Sequence, residues 1–298
     1  MRFLYHIVPR GTDVGSRYAP ASLVMEGFVH CSFRDEVRES ALLYFPHDIE
    51  LEVFRVDPRR LDVPVELASS PRGPMPHVRG SIPADAVVER LSLDALAHAA
   101  DRVTGTRFVF VAFENMTLLD LVGALDPVGR IASMGFDPSA KVEVVGATDH
   151  CVWSCEGATL TVDRVRPDLT EADVVIVPGG LGTRTLVKDE EVVSWLGSFP
   201  HNRLIASVCT GSMLLGAAGR LKGKRATTHH SAMSELANYG AVAVNERVVD
   251  EGQLVTAGGV SCALDLGMHI VRRFEGQATA EKIAAQMQLP PEFGRRAV

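Results

Sequence analysis

One cysteine in this chain stands where backbone geometry and side-chain chemistry coincide. In RLIASVCTGSMLLGAAG, residues 204–208 read as a short interior strand, and Thr210-Gly211-Ser212 open an apolar helix of Met213, Leu214, Leu215 and Ala217. Cys209 falls at the junction. A sharp strand-to-helix turn lifts its side chain out of the sheet, small following residues relieve crowding, and the helix N-terminus offers free N–H groups and partial positive charge. Together these features favour thiolate and predict a nucleophile with a lowered pKa. The inert alternative is a small apolar side chain filling a strand end, as buried free cysteines commonly do. The segment by itself leaves both open.

Three other features fall where an α/β sheet gathers chemistry, at the carboxyl ends of strands. Asp120 in MTLLDLVG follows the strand-like FVFVAF. A carboxyl packed beside a thiol has its pKa raised by desolvation and like charge, so it can hold or deliver a proton near neutrality. An acid facing water from an amphipathic helix is the bland explanation. Gly179 and Gly180 end DVVIVPGG. They make either a simple turn or a close backbone approach, in which the Gly180 N–H joins that of Thr210 in an oxyanion-type hole. His229, after the strand-like RATT, is a candidate base or a hydrogen-bonded structural residue, and His230 stands beside it. Adjacent residues leaving a strand point opposite ways, so at most one faces the thiol.

The elements that must position these residues lie in the second of two blocks. After about LSLDALAHAADRVTGTR, the apolar runs FVFVAF, VEVVGA, DVVIVPGG and LIASV alternate with helical stretches, the pattern of a parallel sheet covered on both faces. Short strands in GAVAVNERVVDEGQLVTAGG and two closing helices complete it. Before the joint, FLYHIV and IELEVFRV surround a helical DEVRESALLYF among frequent prolines, predicting a small α+β unit. The expected division is 1–104 and 105–298.

With 298 residues and 46% apolar content, two sizeable cores can be buried. A net charge of −7 argues against nucleic-acid or anionic-membrane partners. Neither a membrane-length apolar run nor a signal-peptide pattern is present, which predicts a cytoplasmic location. Five scattered cysteines (Cys31, Cys151, Cys155, Cys209, Cys262) fit reduced thiols rather than a disulfide framework. Cys151 and Cys155 lack a second Cys/His pair at zinc-like spacing, so no metal is expected.

LLDLVG, VPGGLGTRTL, SVCTGSMLLGAAGRLKGKRATTH and NERVVDEGQLVTAGGVSCALDLG occur in the order and spacing of the ThiJ/PfpI superfamily, which the span from about Thr106 to Phe293 resembles. Within that superfamily the likeness is closest to the isonitrile hydratase subgroup. The resemblance implies a flavodoxin-like parallel-sheet sandwich, Cys209 as nucleophile, Asp120 as its acid and Thr210 as the matched threonine beside it. It implies a homodimer acting on a small molecule with no cofactor. The expected reaction is hydration of an isonitrile to an N-formamide through a Cys209 thioimidate. Alternatives are glyoxalase-like or deglycase-like chemistry on a 2-oxoaldehyde, where His229 would matter more, and a redox or stress sensor oxidised at Cys209. The same core occurs in regulators related to the AraC family, but only GRRAV follows Phe293, too little for a helix-turn-helix module. Two departures bear on the pocket. His230 stands where the subgroup usually has tryptophan, and LVGA (residues 121–124) where it usually has LTGP.

The first block, over about residues 3–93, resembles a short bacterial family of unknown function. Its marks are YHI with His6, SLVMEGFVHCS with His30, and MPHVRGSIPADAVV with His77. That family has been compared with ADP-ribosyltransferases, so the resemblance implies a nucleotide as a candidate ligand. Histidines 6, 30 and 77 would line its cleft; satisfied core or turn histidines are the commoner case.

Overall fold

The computed structural model describes residues 2–68, 70–72, 75–99, 101, 103–290 and 293. The chain divides into two compact units, Met1–Val103 and Thr104–Val298.

The first unit is rich in short strands. Leu4–Pro9, Leu51–Val56 and Val87–Ser92 form one antiparallel sheet, and Val29–His30, Met75–Val78 and Val65–Ala68 form another. Successive side chains of a strand point to opposite faces, and both faces of Leu4–Pro9 are covered. Leu4 and Val8 join a cluster with Phe54 and Val56, while Tyr5 and Ile7 join another with Val37 and Val53.

The second unit is built on a six-stranded sheet. Its spatial order is Lys141–Gly146, Arg107–Ala112, Val174–Val177, Leu204–Val208, Leu254–Ala257 and Val248–Asp250. The first five strands run parallel, and the last pairs antiparallel through the turn at Gly252. Every residue of Val174–Val177 and of Leu204–Val208 is buried, which requires cover on both faces and accounts for sequences that are apolar apart from Ser207.

The helices Leu118–Ser133 and Cys262–Glu275 pack together through small residues. A Cβ on Gly123 would lie 2.7 Å from the Ala263 Cβ, and one on Gly267 would lie 2.9 Å from the Ala124 carbonyl. This contact brings the start of the helix carrying Asp120 beside the start of the helix opened by Cys262. On the core side, Phe108 and Phe274 meet edge to face with centroids 5.4 Å apart.

Candidate active site

Cys209 has φ +54°, a left-handed conformation that is costly for a residue with a side chain. The surrounding bonds over-determine it. Its N–H lies 3.0 Å from the Ala257 carbonyl and 2.9 Å from that of Gly258. Its carbonyl accepts from Thr228 Oγ1 at 2.9 Å and Ser212 Oγ at 3.1 Å. The helix Gly211–Ala217 then starts hard against the neighbouring strand end, since a Cβ on Gly211 would stand 2.3 Å from the Val177 carbonyl. Only glycine permits that approach.

Asp120 lies in the first turn of Leu118–Ser133 and is 0% exposed. Its Oδ2 accepts the Gly179 N–H at 3.0 Å. Its Oδ1 makes no hydrogen bond of normal geometry among the described residues. A Cβ on Gly179 would lie 2.6 Å from Thr210 N, 2.7 Å from Cys209 Cβ and 2.9 Å from Asp120 Oδ2, so all three crowd one point. The bland alternative for Asp120, a solvent-facing acid, is excluded by its burial.

Electrostatics at this pair differ from the sequence expectation for the thiol. Burial first, and then the Asp120 charge, push the Cys209 thiol up to about 12, outweighing the Thr210 backbone and hydroxyl, which favour the thiolate. The anticipated lowering does not occur because Cys209 is only 6% exposed and faces a carboxylate. Burial raises Asp120 from 3.8 to about 6, against the opposing hydrogen bonds from Gly179 and the thiol. Near neutrality the resting arrangement is therefore a protonated thiol beside a carboxylate, with a proton acceptor already in place.

The glycine N–H groups also differ from expectation. That of Gly179 is held by Asp120, and that of Gly180 donates to Thr210 Oγ1 at 3.0 Å. Neither is idle in this state; the Thr210 N–H is the donor turned toward the sulfur. Thr183, which the sequence did not single out, completes this corner. It is fully buried, with Oγ1 2.8 Å from the Gly180 carbonyl and 3.1 Å from Thr210 Oγ1.

His229 is half-buried, and its Nδ1 lies 2.8 Å from Ser231 Oγ while also accepting the Ser231 N–H. It caps the turn His230–Tyr239, and burial and His230 lower its pKa. His230 is exposed. Among the described residues no hydrogen bond links either ring to the thiol. A cleft of about 510 Å³, lined by Leu119, Thr228, His229, Arg247, Gly258 and Cys262 among others, adjoins the elbow, because Thr228 and Gly258 both bond the Cys209 backbone.

In the first unit, His30 and His77 are cross-strand partners with ring centroids 5.3 Å apart. His77 stacks on Phe28 at 3.8 Å, and His30 Nε2 lies 3.0 Å from Glu26. His6 is not beside their rings in an open cleft. It is buried, with Nδ1 2.6 Å from the His30 carbonyl and Nε2 3.1 Å from the Tyr18 hydroxyl, and burial brings its pKa down to about 4.

All five cysteines are free. Among the described residues no group of three or more His, Cys, Asp or Glu is arranged to hold a metal, and no helix is long and apolar enough to cross a membrane.

Residues 106–273 match the DJ-1/PfpI family, and residues 11–90 match a protein family of unknown function, DUF952. The isonitrile hydratase of Pseudomonas putida is 35% identical over 183 residues, covering 61% of this chain and 78% of that protein. The transcriptional regulator GbdR of Pseudomonas aeruginosa is 25% identical over 178 residues, 59% of this chain and only 48% of the regulator. A ThiJ/PfpI family protein from Pseudomonas syringae superimposes with TM-score 0.56 at 30% identity, covering 64% of this chain and 77% of that structure.

Proposed function

This chain belongs to the DJ-1/PfpI family, and from the thiol and carboxyl buried together at its elbow we propose that it is a cysteine-dependent hydratase that converts an isonitrile to an N-formamide. The observation that carries this is the fully buried Asp120 carboxyl set against the Cys209 thiol, its Oδ1 making no other hydrogen bond among the described residues. Likeness to a named isonitrile hydratase supports the substrate class.

The chemistry needs a group that takes a proton from sulfur and gives it to carbon. Asp120 accepts the thiol proton as Cys209 Sγ attacks the terminal carbon of R–N≡C. It then delivers that proton to the same carbon, giving the thioimidate Cys–S–CH=N–R. With its pKa near 6, Asp120 suits both directions at neutral pH. Water adds to the thioimidate carbon, the nitrogen gains a proton, and the C–S bond breaks to release R–NH–CHO with the thiol restored. The Thr210 N–H stabilises charge on sulfur, while Thr210 Oγ1 and Thr183 hold the Gly180 corner.

The enzyme acts as a homodimer on small molecules, and neither nucleic acid nor membrane is a partner. Purified protein should hydrate an aryl isonitrile and leave methylglyoxal untouched, and Cys209→Ala should be inactive while folded. Turnover of methylglyoxal in preference to the isonitrile would favour the 2-oxoaldehyde alternative. His229, bonded to Ser231 and not to the thiol, gives that alternative no support.

A further inference from the structure

The helix that carries Asp120 has no cap of its own. Thr117 occupies the N-cap position without a side-chain hydrogen bond, leaving the first N–H groups to find partners elsewhere. One is supplied from outside the helix. Glu156, in the turn between the short strands Cys151–Trp153 and Thr159–Thr161, accepts the Leu118 N–H through Oε2 at 3.0 Å. The turn is itself pinned. Ser154 is buried, and its Oγ accepts the N–H groups of Glu156 and Ala158, both at 3.2 Å. The Cys155 N–H donates to the Met116 carbonyl at 2.8 Å, and the Cys155 thiol to that of Asn115 at 2.9 Å. On the other side of the same loop, the Thr117 N–H reaches the Gly179 carbonyl at 2.9 Å, and the Gly179 N–H holds Asp120. The chain from residue 115 to 118 is thus clamped between the hairpin turn and the glycine pair.

We propose that Glu156 is a positioning residue for the reaction: it closes the N-terminus of the Asp120 helix and so fixes the carboxyl against Gly179 and the thiol. The proposal rests on Cys209 and Asp120 being the reacting pair. Two effects of one side chain are separable. A carboxylate at the end of a 16-residue helix satisfies an orphan donor and complements the helix dipole. The same charge opposes ionisation of Asp120, in the direction that burial already sets. The titratable groups acting on the Asp120 carboxyl are Cys209 from the elbow and Glu156 from the hairpin, and the Asp120 charge in turn raises Cys262 at the start of the neighbouring helix. Glu156 is exposed, so its electrostatic effect is modest and sensitive to salt, whereas its hydrogen bond is not.

The test compares the full-length protein with Glu156→Gln and Glu156→Ala. The rate of Cys209 alkylation by iodoacetamide is measured by peptide mass spectrometry across pH 4.5–8.5, at low and high salt, alongside isonitrile turnover. In wild type the rate should rise as Asp120 ionises and becomes the base. Glutamine keeps an acceptor for the Leu118 N–H but removes the charge. Its rate should match wild type within about twofold at the plateau, while the acid limb moves down by about 0.3 pH unit. High salt should close the gap by moving the wild-type limb to the variant's position. Alanine loses both effects and should fall about threefold or more at every pH. Limbs and plateaus of both variants that superimpose on wild type would overturn the proposal. A displaced limb without any isonitrile turnover would support the role of Glu156 and sink the substrate assignment instead.

Discussion

Asp120→Asn separates what the buried carboxyl costs the fold from what it does for the reaction. Asparagine has the shape of the protonated acid, and its carbonyl can accept the Gly179 N–H that Asp120 Oδ2 accepts now. In wild type, folding raises the carboxyl from 3.8 to about 6, so the unfolded chain releases this proton more readily than the native one. A folded-state pKa raised above the unfolded value means that stability is fully present below pH 3.8 and is lost as pH rises through about 6. A shift of this size corresponds to about 3 kcal/mol at full ionisation. Asparagine carries no such penalty. The stability difference between variant and wild type should therefore swing toward the variant by about 2.4 kcal/mol between pH 4 and 7.5, with the change centred between the two pKa values. Urea unfolding followed by tryptophan fluorescence is a selective assay, because both tryptophans, Trp153 and Trp195, lie in the second unit. The same variant should lose turnover by roughly a hundredfold or more, the usual scale for a positioned proton-transfer group. A stability difference that stays constant over this range would refute the raised pKa and, with it, the assignment of Asp120 as a base poised near neutrality.

Gly179→Ala inserts a methyl group within 3 Å of Thr210 N, Cys209 Cβ and Asp120 Oδ2, and should abolish turnover and destabilise the second unit by about 2 kcal/mol in urea titrations. His229→Asn retains an acceptor for the Ser231 N–H and should keep isonitrile turnover within about threefold; a hundredfold loss would restore the histidine as a base. In the first unit, burial takes His6 from 6.5 down to about 4, so the stability this neutral ring permits is present above pH 6.5 and lost as pH falls through about 4, by about 3 kcal/mol in all. Hydrogen exchange of Leu4–Pro9 should accelerate over that interval in wild type, and His6→Gln should flatten the dependence.

The elbow was legible because its signals are local: a short strand with four apolar residues in five, then a cysteine followed by Thr-Gly-Ser, leave few other conformations for the junction. Asp120 was legible for a similar reason, an acid set among leucines and valines one turn into a helix. What the sequence could not carry was the environment those residues meet. Desolvation of Cys209 depends on the helix bearing Asp120 and on the strand ending at Ala257, which lie about 90 residues before it and 48 after it in the chain. Helix position alone therefore suggested a lowered thiol pKa, and burial beside a carboxylate reversed it. The glycine pair left a simple turn and a close approach both open, and only the folded backbone reveals that Asp120 and Thr210 hold the two N–H groups. Glu156 escaped notice because its hairpin strands are three residues each with mostly exposed side chains, too short for an alternating pattern to register. His30 and His77 were singled out separately, and their cross-strand register makes them neighbours.

The decisive measurement is a rapid quench of the wild-type protein with an aryl isonitrile, followed by digestion and mass spectrometry of every cysteine peptide. A thioimidate forms by addition, so the peptide containing Cys209 should gain the whole mass of the isonitrile during turnover and return to its original mass when substrate is exhausted. The other four cysteines should stay unmodified. Hydration that proceeds with no adduct on Cys209, or at an unchanged rate in Cys209→Ala, would contradict the assignment of this thiol as the nucleophile.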